Sequence, residues 1–180
     1  NEGELIKMFP NISSIKIEGR MKKPSYVAAT VIAYKEALEH IDDSNFDLSE
    51  RIHELLVSFN REYTKGYILN EAPYSINNAN RPNHQGIEIG KVLSYDRGKT
   101  TIRLTDTLSV SDGIRIEGNP DIGGEVSRIL KDDIKVEQAY KDDIVVLDMQ
   151  QVVLKDSRVL KTLDIHQEQE MSLLVDETYK

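Results

Sequence analysis

The second half of the chain consists of short segments in which apolar and polar residues alternate. Alternation places successive side chains on opposite faces of an extended strand, so that one face can be buried. Turn-forming residues separate the segments, as in Asp96-Arg97-Gly98 and Asp112-Gly113. The pattern predicts strands at 87–94, 99–105, 114–117, 124–130, 134–138, 143–149, 151–154 and 158–163.

No helical spacing interrupts these segments, which favours a small antiparallel β-barrel over residues 86–165. We expect the barrel to be closed or nearly closed, because closure removes exposed sheet edges. Residues 70–85 are rich in Asn and Pro and are interpreted as a linker. Residues 166–180 are expected to form a tail or a short helix.

The first 69 residues instead show helical spacing. A helix is predicted from Pro24, with an apolar stripe made of Val27, Val31, Tyr34, Leu38 and Ile41. A second helix is predicted from Leu48 to Phe59, after the capping pair Asp47 and Glu50.

Ser14 to Glu18 alternates and predicts one strand. One strand cannot make a sheet, and the chain opens at Asn1, so we expect a piece of a longer α/β protein. A small helical subdomain with one edge strand is the alternative.

Composition excludes several classes of function. The 180 residues contain no cysteine, which excludes disulfides, iron–sulfur ligation and a thiol nucleophile within this chain. The longest apolar run, Tyr26 to Tyr34, is too short to span a bilayer. A net charge of −8 argues against a broad nucleic-acid footprint, although a local basic patch is compatible with it.

Chemistry is most plausible at Glu18 and Arg20. If the strand continues to Arg20, the two side chains leave the same face, at the strand end where barrel enzymes build their sites. Gly19 between them would let a ligand approach closely. A structural Glu–Arg pair is an equally good interpretation. The four histidines are scattered without zinc spacing, and acid pairs such as Asp132-Asp133 are better explained by turns than by calcium.

Three blocks of this sequence resemble the U32 family of collagenase-like peptidases. The family block S-L-K-I-E-G-R-M-K-S-P-E-Y-V is similar to residues 14–27, SIKIEGRMKKPSYV. F-N-R-G-F-T-x-G-Y is similar to residues 59–67, FNREYTKGY, where Glu62 replaces the usual Gly. R-P-N-H-R-G-V-E-I-G-K-V is similar to residues 81–92, RPNHQGIEIGKV. More loosely, residues 108–118 resemble a turn of the translation-factor type of β-barrel.

The resemblance implies an α+β fragment. Residues 1–69 would be the C-terminal end of a TIM-like α/β barrel domain, followed by a small antiparallel β-barrel of translation-factor type. The family's cysteine-containing signature region is absent, so we expect the fragment alone to be inactive and the missing N-terminal part of the same chain to be a partner. The β-barrel would dock a substrate or another protein, or serve only as a structural domain.

Two functions remain open under this resemblance. In the first, the parent is a collagenase-like peptidase acting on a peptide or protein, with Glu18 positioning water or a metal and Arg20 holding an acyl oxygen. In the second, the parent hydroxylates a tRNA or rRNA base with oxygen from prephenate, and the barrel docks RNA. Arg20, helped by Lys22, would then clamp the donor's carboxylate.

The remaining expectations concern ligands and location. We assign substrate-binding roles to Lys22, Tyr26, Arg61 and His84, with packing at the domain junction as the alternative for His84. We expect no metal and no cofactor in this fragment, and an iron–sulfur cluster in the parent if it is a hydroxylase. The protein is expected to be cytoplasmic, without a membrane partner.

Overall fold

The computed structural model describes residues 11, 13–20, 22–43, 45–60 and 84–178. The chain divides into two compact units. The helical unit comprises residues 1–55 and 167–180, and the β unit comprises residues 56–166. The boundaries predicted from the sequence stay a prediction, as does the linker, most of which lies outside the described residues.

The β unit is built from short antiparallel strands. Their bounds are β1 Ile87–Asp96, β2 Lys99–Leu104, β3 Leu108–Ser109, β4 Gly113–Ile116, β5 Ile122–Glu125, β6 Ile129–Lys131, β7 Ile134–Val136, β8 Gln138–Ala139, β9 Ile144–Asp148 and β10 Arg158–Leu163. Eight of them form one curled sheet in the order β5-β4-β10-β1-β2-β9-β6-β7, and β3 pairs with β8. The antiparallel β architecture is therefore confirmed. The expected closure is not: the sheet is a half-barrel whose edge strands β5 and β7 do not pair with each other.

Alternation explains the core of the β unit. In β2 the buried residues are Thr100, Ile102 and Leu104, and every second side chain faces outward. The inward faces together form one apolar cluster, made of Ile89, Val92, Ile102, Leu104, Leu108, Ile114, Ile116, Val126, Ile129, Ala139, Val145, Leu147, Val153 and Val159. Because the members come from most strands of the sheet, the β unit has a core of its own.

Three strand predictions were wrong. Residues 124–130 split into β5, which ends at Glu125, and β6, which begins at Ile129. Val126 is held at the β3–β4 turn, where its N–H donates to the Asp112 carbonyl at 2.9 Å. Residues 151–154 are not a strand, and only Val153 among them is buried. Residues 14–18 are irregular, since none of the described residues forms a ladder with them.

A buried ion pair lies at one end of the core. The Lys161 ammonium, 1% exposed, is 3.1 Å from a carboxylate oxygen of Asp112, which is fully buried. The Asp112 carboxylate also accepts the backbone N–H groups of Ser109 at 2.8 Å and Ile165 at 2.9 Å. Asp164 neutralises the ammonium from a second side at 2.8 Å. The pair thus joins the β3–β4 turn to β10 and to the start of the last helix.

Three helices are described: α1 Pro24–Glu39, α2 Ser49–Ser58 and α3 Ile165–Thr178. Pro24 occupies the first turn of α1, as predicted. Before α2, the Asp47 carboxylate accepts the Ser49 N–H at 2.9 Å, and this hydrogen bond lowers the pKa of Asp47. Of the two alternatives for the chain end, a helix forms.

The predicted stripe of α1 is not its buried face. Val31 and Leu38 remain 47% and 42% exposed, and the buried residues are the small ones Ser25, Ala29, Thr30 and Ala33. Val27, Tyr34 and Ile41 are half-buried, so the described residues cover the stripe only in part. The TIM-like barrel to which this unit was expected to belong is not seen in these elements.

Candidate functional site

The segment that carries Glu18 and Arg20 is irregular and open. Both side chains are exposed, and Glu18 forms its ion pair with Lys16. No ion pair joins Glu18 to Arg20, although the structure describes both residues. The expected structural pair is therefore not formed here, and both charged groups are accessible to an external group.

Gly19 belongs to a tight turn. Its carbonyl accepts the Lys22 N–H at 2.9 Å. A Cβ at this position would lie 2.5 Å from a methyl carbon of Val27, so a larger residue would displace the start of α1. Glycine is thus needed here for packing against the helix, which is a different reason from the ligand approach inferred from sequence.

Lys22 and Tyr26 are brought together. The Lys22 ammonium lies 5.8 Å from the centroid of the Tyr26 ring, within reach of a cation–π interaction. Beside them, Glu168 accepts a hydrogen bond from Ser25 Oγ at 2.9 Å and pairs with Lys23 at 3.3 Å. The C-terminal helix α3 therefore contributes a carboxylate next to the residues assigned to substrate binding.

The other two predicted binding residues fall elsewhere. Arg61 lies outside the described residues. His84 lies in the β unit, where its Nδ1 accepts the Asn60 N–H at 2.8 Å and its Nε2 lies 3.0 Å from the Thr162 carbonyl. Phe59 stacks on the imidazole, with ring centroids 5.8 Å apart.

These contacts fix the state of His84. Because Nδ1 accepts a backbone N–H, the proton is on Nε2 and is donated to Thr162. Burial lowers the pKa of His84, and the nearby Arg115 guanidinium acts in the same direction. A neutral imidazole whose two nitrogens are both occupied by the backbone favours the packing interpretation; substrate binding stays a prediction.

Asn60 completes a clasp at the same place. Its side-chain amide donates to the Gly86 carbonyl at 2.7 Å, and its own carbonyl accepts the Gln85 N–H at 2.7 Å. Asn60 and His84 belong to two of the sequence blocks that resemble the family. Asn60 and His84 are 24 positions apart in the sequence and are in direct contact. This clasp, made of Asn60, His84 and Gly86, is the best-defined arrangement among the family-like residues.

Gly86 lets the clasp lie on the sheet. Its φ is +74°, and a Cβ there would be 2.3 Å from the Lys161 carbonyl oxygen. Next to it, Arg115 donates to the Gln85 carbonyl at 2.6 Å and pairs with Asp121 at 2.7 Å. The segment 84–86 is thus held from both sides, which fixes the start of β1.

Sequence reasoning missed two arrangements. Asn60 was noticed only as part of a block, although an Asn and a His in two such blocks were a signal for a shared contact. The pair Lys161–Asp112 was not anticipated, because Asp112-Gly113 is an ordinary turn sequence and Lys161 lies in a strand with two other polar residues, so neither shows locally that it is buried.

The described residues offer no metal centre. No group of three or more His, Asp or Glu side chains in this part of the chain is arranged to hold a cation. An iron–sulfur cluster does not fit this chain either, because its usual ligands are cysteine thiolates and the sequence has none. None of the helices seen here is long and apolar enough to span a membrane.

Comparison with known proteins shows what this chain is similar to. Residues 3–78 match the profile of peptidase family U32. An uncharacterized protease of Methanocaldococcus jannaschii is 33% identical over 125 residues, which cover 64% of this chain and 30% of that protein. A 23S rRNA 5-hydroxycytidine synthase of Escherichia coli is 27% identical over 124 residues, which cover 64% of this chain and 19% of that enzyme.

A solved structure is also similar. The C-terminal domain of a Geobacillus thermoleovorans protein assigned to the U32 peptidases aligns with 42% of this chain and 91% of its own length, at 18% identity and a TM-score of 0.40. The chain spans less than a third of the length of either curated relative. On the sequence matches, the chain is similar to peptidase family U32, most directly over residues 3–78.

Proposed function

We propose that this chain is the C-terminal portion of a U32-family peptidase and that its β unit docks a peptide substrate or a partner protein. The helical unit would be the end of a TIM-like barrel domain whose remaining strands lie upstream, and the catalytic centre would be completed there. The observation that carries the docking role is the separate core of the β unit, since a unit that folds around its own core can leave its outer surface free for binding.

The protease relative supports the peptidase assignment. In the intact protein, Glu18 would position water or a metal and Arg20 would hold an acyl oxygen. The exposure of both side chains is consistent with contacts to residues from the rest of the protein. A cytoplasmic location stays a prediction, which cell fractionation tests.

The test is a peptidase assay on the intact parent protein and on the 180-residue chain. We expect cleavage of a collagen-like peptide by the parent alone. Arg20→Ala should abolish cleavage and leave the thermal midpoint unchanged, because Arg20 is exposed. Lys35→Ala, on an exposed face of α1, is the matched control and should retain activity. Unfolding by Arg20→Ala, or cleavage by the chain alone, would contradict the proposal.

RNA-base hydroxylation is the second candidate, because the Escherichia coli relative modifies rRNA. Arg20 and Lys22 would then clamp the carboxylate of prephenate, and the β unit would dock RNA. The intact parent, purified without oxygen, should show an iron–sulfur absorption band, and its deletion strain should lack one hydroxylated base. Peptide cleavage by metal-free parent protein, with no modified base lost, would exclude this candidate.

A further inference from the structure

Four hydrogen-bond donors form a block on the outer face of the hairpin β1–β2. Lys91 lies opposite Arg103, and Ser94 lies opposite Thr101. Their strand neighbours Val92, Ile102 and Leu104 are buried in the core, so the four side chains share the solvent face. We call Lys91, Ser94, Thr101 and Arg103 the donor patch.

The two cations of the patch stand in a row of three. Lys91 also lies opposite Arg158 on β10. Neighbouring strands are about 4.8 Å apart, so three positive charges are placed side by side, which is unfavourable without counter-charges. Arg158 is neutralised by Glu117 at 2.7 Å and by Glu88 at 3.7 Å. For Lys91 and Arg103, no carboxylate of the described residues lies within 4.0 Å.

Most other cations on the strands of the β unit have a carboxylate partner. Residues 84–166 contain 12 Lys and Arg against 15 Asp and Glu, so carboxylates are in excess. Five other cations of this unit have a carboxylate within 4.0 Å; these are Arg115, Arg128, Lys131, Lys135 and Lys161. Lys99 lies opposite Asp96 and Asp148 in the sheet, and Lys141 and Lys155 lie outside the strands. In an acidic unit, two adjacent cations that no carboxylate of the described residues neutralises mark a place for an external anion.

An apolar strip borders the donor patch. Ile144 on β9 lies opposite Arg103 and is 45% exposed, and Val146 lies opposite Thr101. Leu130 on β6 continues the strip beside Val146. A ligand on the patch would therefore meet charge and hydroxyl groups on two strands and aliphatic surface on the next two.

We propose that the donor patch binds the phosphodiester backbone of a single-stranded nucleic acid. Lys, Arg, Ser and Thr are the side chains that contact phosphate, and the patch contains one of each and no acceptor-only group. A backbone with repeated charges neutralises Lys91 and Arg103 together, whereas one carboxylate of a protein partner neutralises one of them. The apolar strip lies where sugars and bases would extend from the backbone. This inference rests on the second candidate function, RNA-base hydroxylation, and names the surface of the β unit that would dock the RNA.

The test measures binding of a fluorescent single-stranded RNA oligonucleotide to the 180-residue chain by anisotropy. We compare Lys91→Gln/Arg103→Gln with Lys35→Gln/Arg97→Gln. The control removes the same two charge types from side chains that are 70% and 94% exposed. Two phosphate contacts predict a salt slope of about −1.4, so affinity should fall about sevenfold between about 50 and 200 mM KCl. The patch variant should lose most of the binding and this slope, while the control keeps both.

Folding and partner class are tested in parallel. The patch variant should have an unchanged or higher thermal midpoint, because it removes a like-charged pair. Equal loss of binding in both variants would overturn the proposal, as would RNA binding without salt dependence. Patch-dependent binding of a poly-glutamate peptide in place of RNA would overturn it in favour of an acidic protein partner. The Arg20→Ala assay does not involve the patch, so failure here and failure of the proposed peptidase function are distinguishable.

Discussion

Helix α1 of the helical unit and the sheet of the β unit bury different kinds of residue. The β unit encloses a cluster of Ile, Val and Leu side chains contributed by most of its strands. Helix α1 of the helical unit buries Ser25, Ala29, Thr30 and Ala33, while Val31 and Leu38 remain exposed. A curled sheet finds the partner for its apolar face within its own residues. A helical stripe needs a partner from another element, and the described residues cover the stripe of α1 only in part, since Val27, Tyr34 and Ile41 are half-buried.

The largest effect is expected at the buried ion pair. Asp112→Asn removes the charge that faces Lys161 in a place without water, and this should cost about 3–5 kcal/mol of the free energy of unfolding of the β unit. Urea unfolding followed by far-UV circular dichroism measures it. The control Asp156→Asn makes the same change in an exposed turn and should stay within about 0.5 kcal/mol. Equal effects would show that the pair does not hold the unit together.

A matched pair of truncations tests the comparison of cores directly. Ile102→Ala removes a fully buried side chain of the β unit and should cost about 2–5 kcal/mol. Leu38→Ala removes a side chain that is 42% exposed, so it should cost less than about 1 kcal/mol. In the intact parent, Leu38→Ala should cost more if upstream elements cover α1. A large loss in the isolated chain would mean that the helical unit already has a complete core.

Substitutions at two glycines distinguish the cost of a steric clash from the cost of a strained backbone. Gly86 and Gly98 both have positive φ, at +74° and +86°. An added Cβ at Gly86 would meet a carbonyl oxygen at 2.3 Å, whereas at Gly98 the nearest atom is 3.6 Å away. Gly98→Ala should therefore lower the free energy of unfolding by about 1 kcal/mol, because only the backbone is strained. Gly86→Ala should lower it by about 2–3 kcal/mol, because a steric clash is added. Thermal unfolding ranks the two, and equal losses would argue against close packing of the clasp on the sheet.

The clasp should make the β unit sensitive to acid. Since burial lowers the folded-state pKa of His84, the unfolded chain binds more protons. Stability is then full above the ordinary value of 6.5 and is lost as the pH falls from there through the lowered folded pKa. His84→Gln should cost about 1–2 kcal/mol at neutral pH and flatten this dependence. The control His166→Gln alters an exposed imidazole. If it flattened the pH dependence of stability equally, that dependence would not be due to His84.

Local pattern predicted much of the β unit. Alternation identified β1, β2, β9 and β10 to within a few residues, because each has a buried and a solvent face. The turn residues also behaved as expected: Asp132 and Asp133 have φ of 51° and 61°. Strand β3 was missed, since two residues are too few to show alternation, and the predicted strand 134–138 divides into β7 and the start of β8.

What the sequence could not supply depends on distant partners. Ser14 to Glu18 alternates like a strand, but a strand also needs a neighbour, and the described residues provide none. The face that α1 buries is likewise decided by whatever packs against it. His84 and Asn60 were recognisable as family-like residues, yet their mutual contact depends on how the chain returns between them. The local sequence pattern thus predicts strands and helices, whereas the roles of individual residues depend on contacts between residues that are distant in the sequence.

Native-state hydrogen exchange of the 180-residue chain tests most directly the claim that the β unit is a self-contained folding unit. We predict that the amides of β1, β2, β9 and β10 exchange only through global unfolding of that unit, whereas those of α1 exchange faster, with a smaller opening free energy. Equal protection of α1 and the central strands would contradict the account, because the helical unit would then share the stability of the sheet.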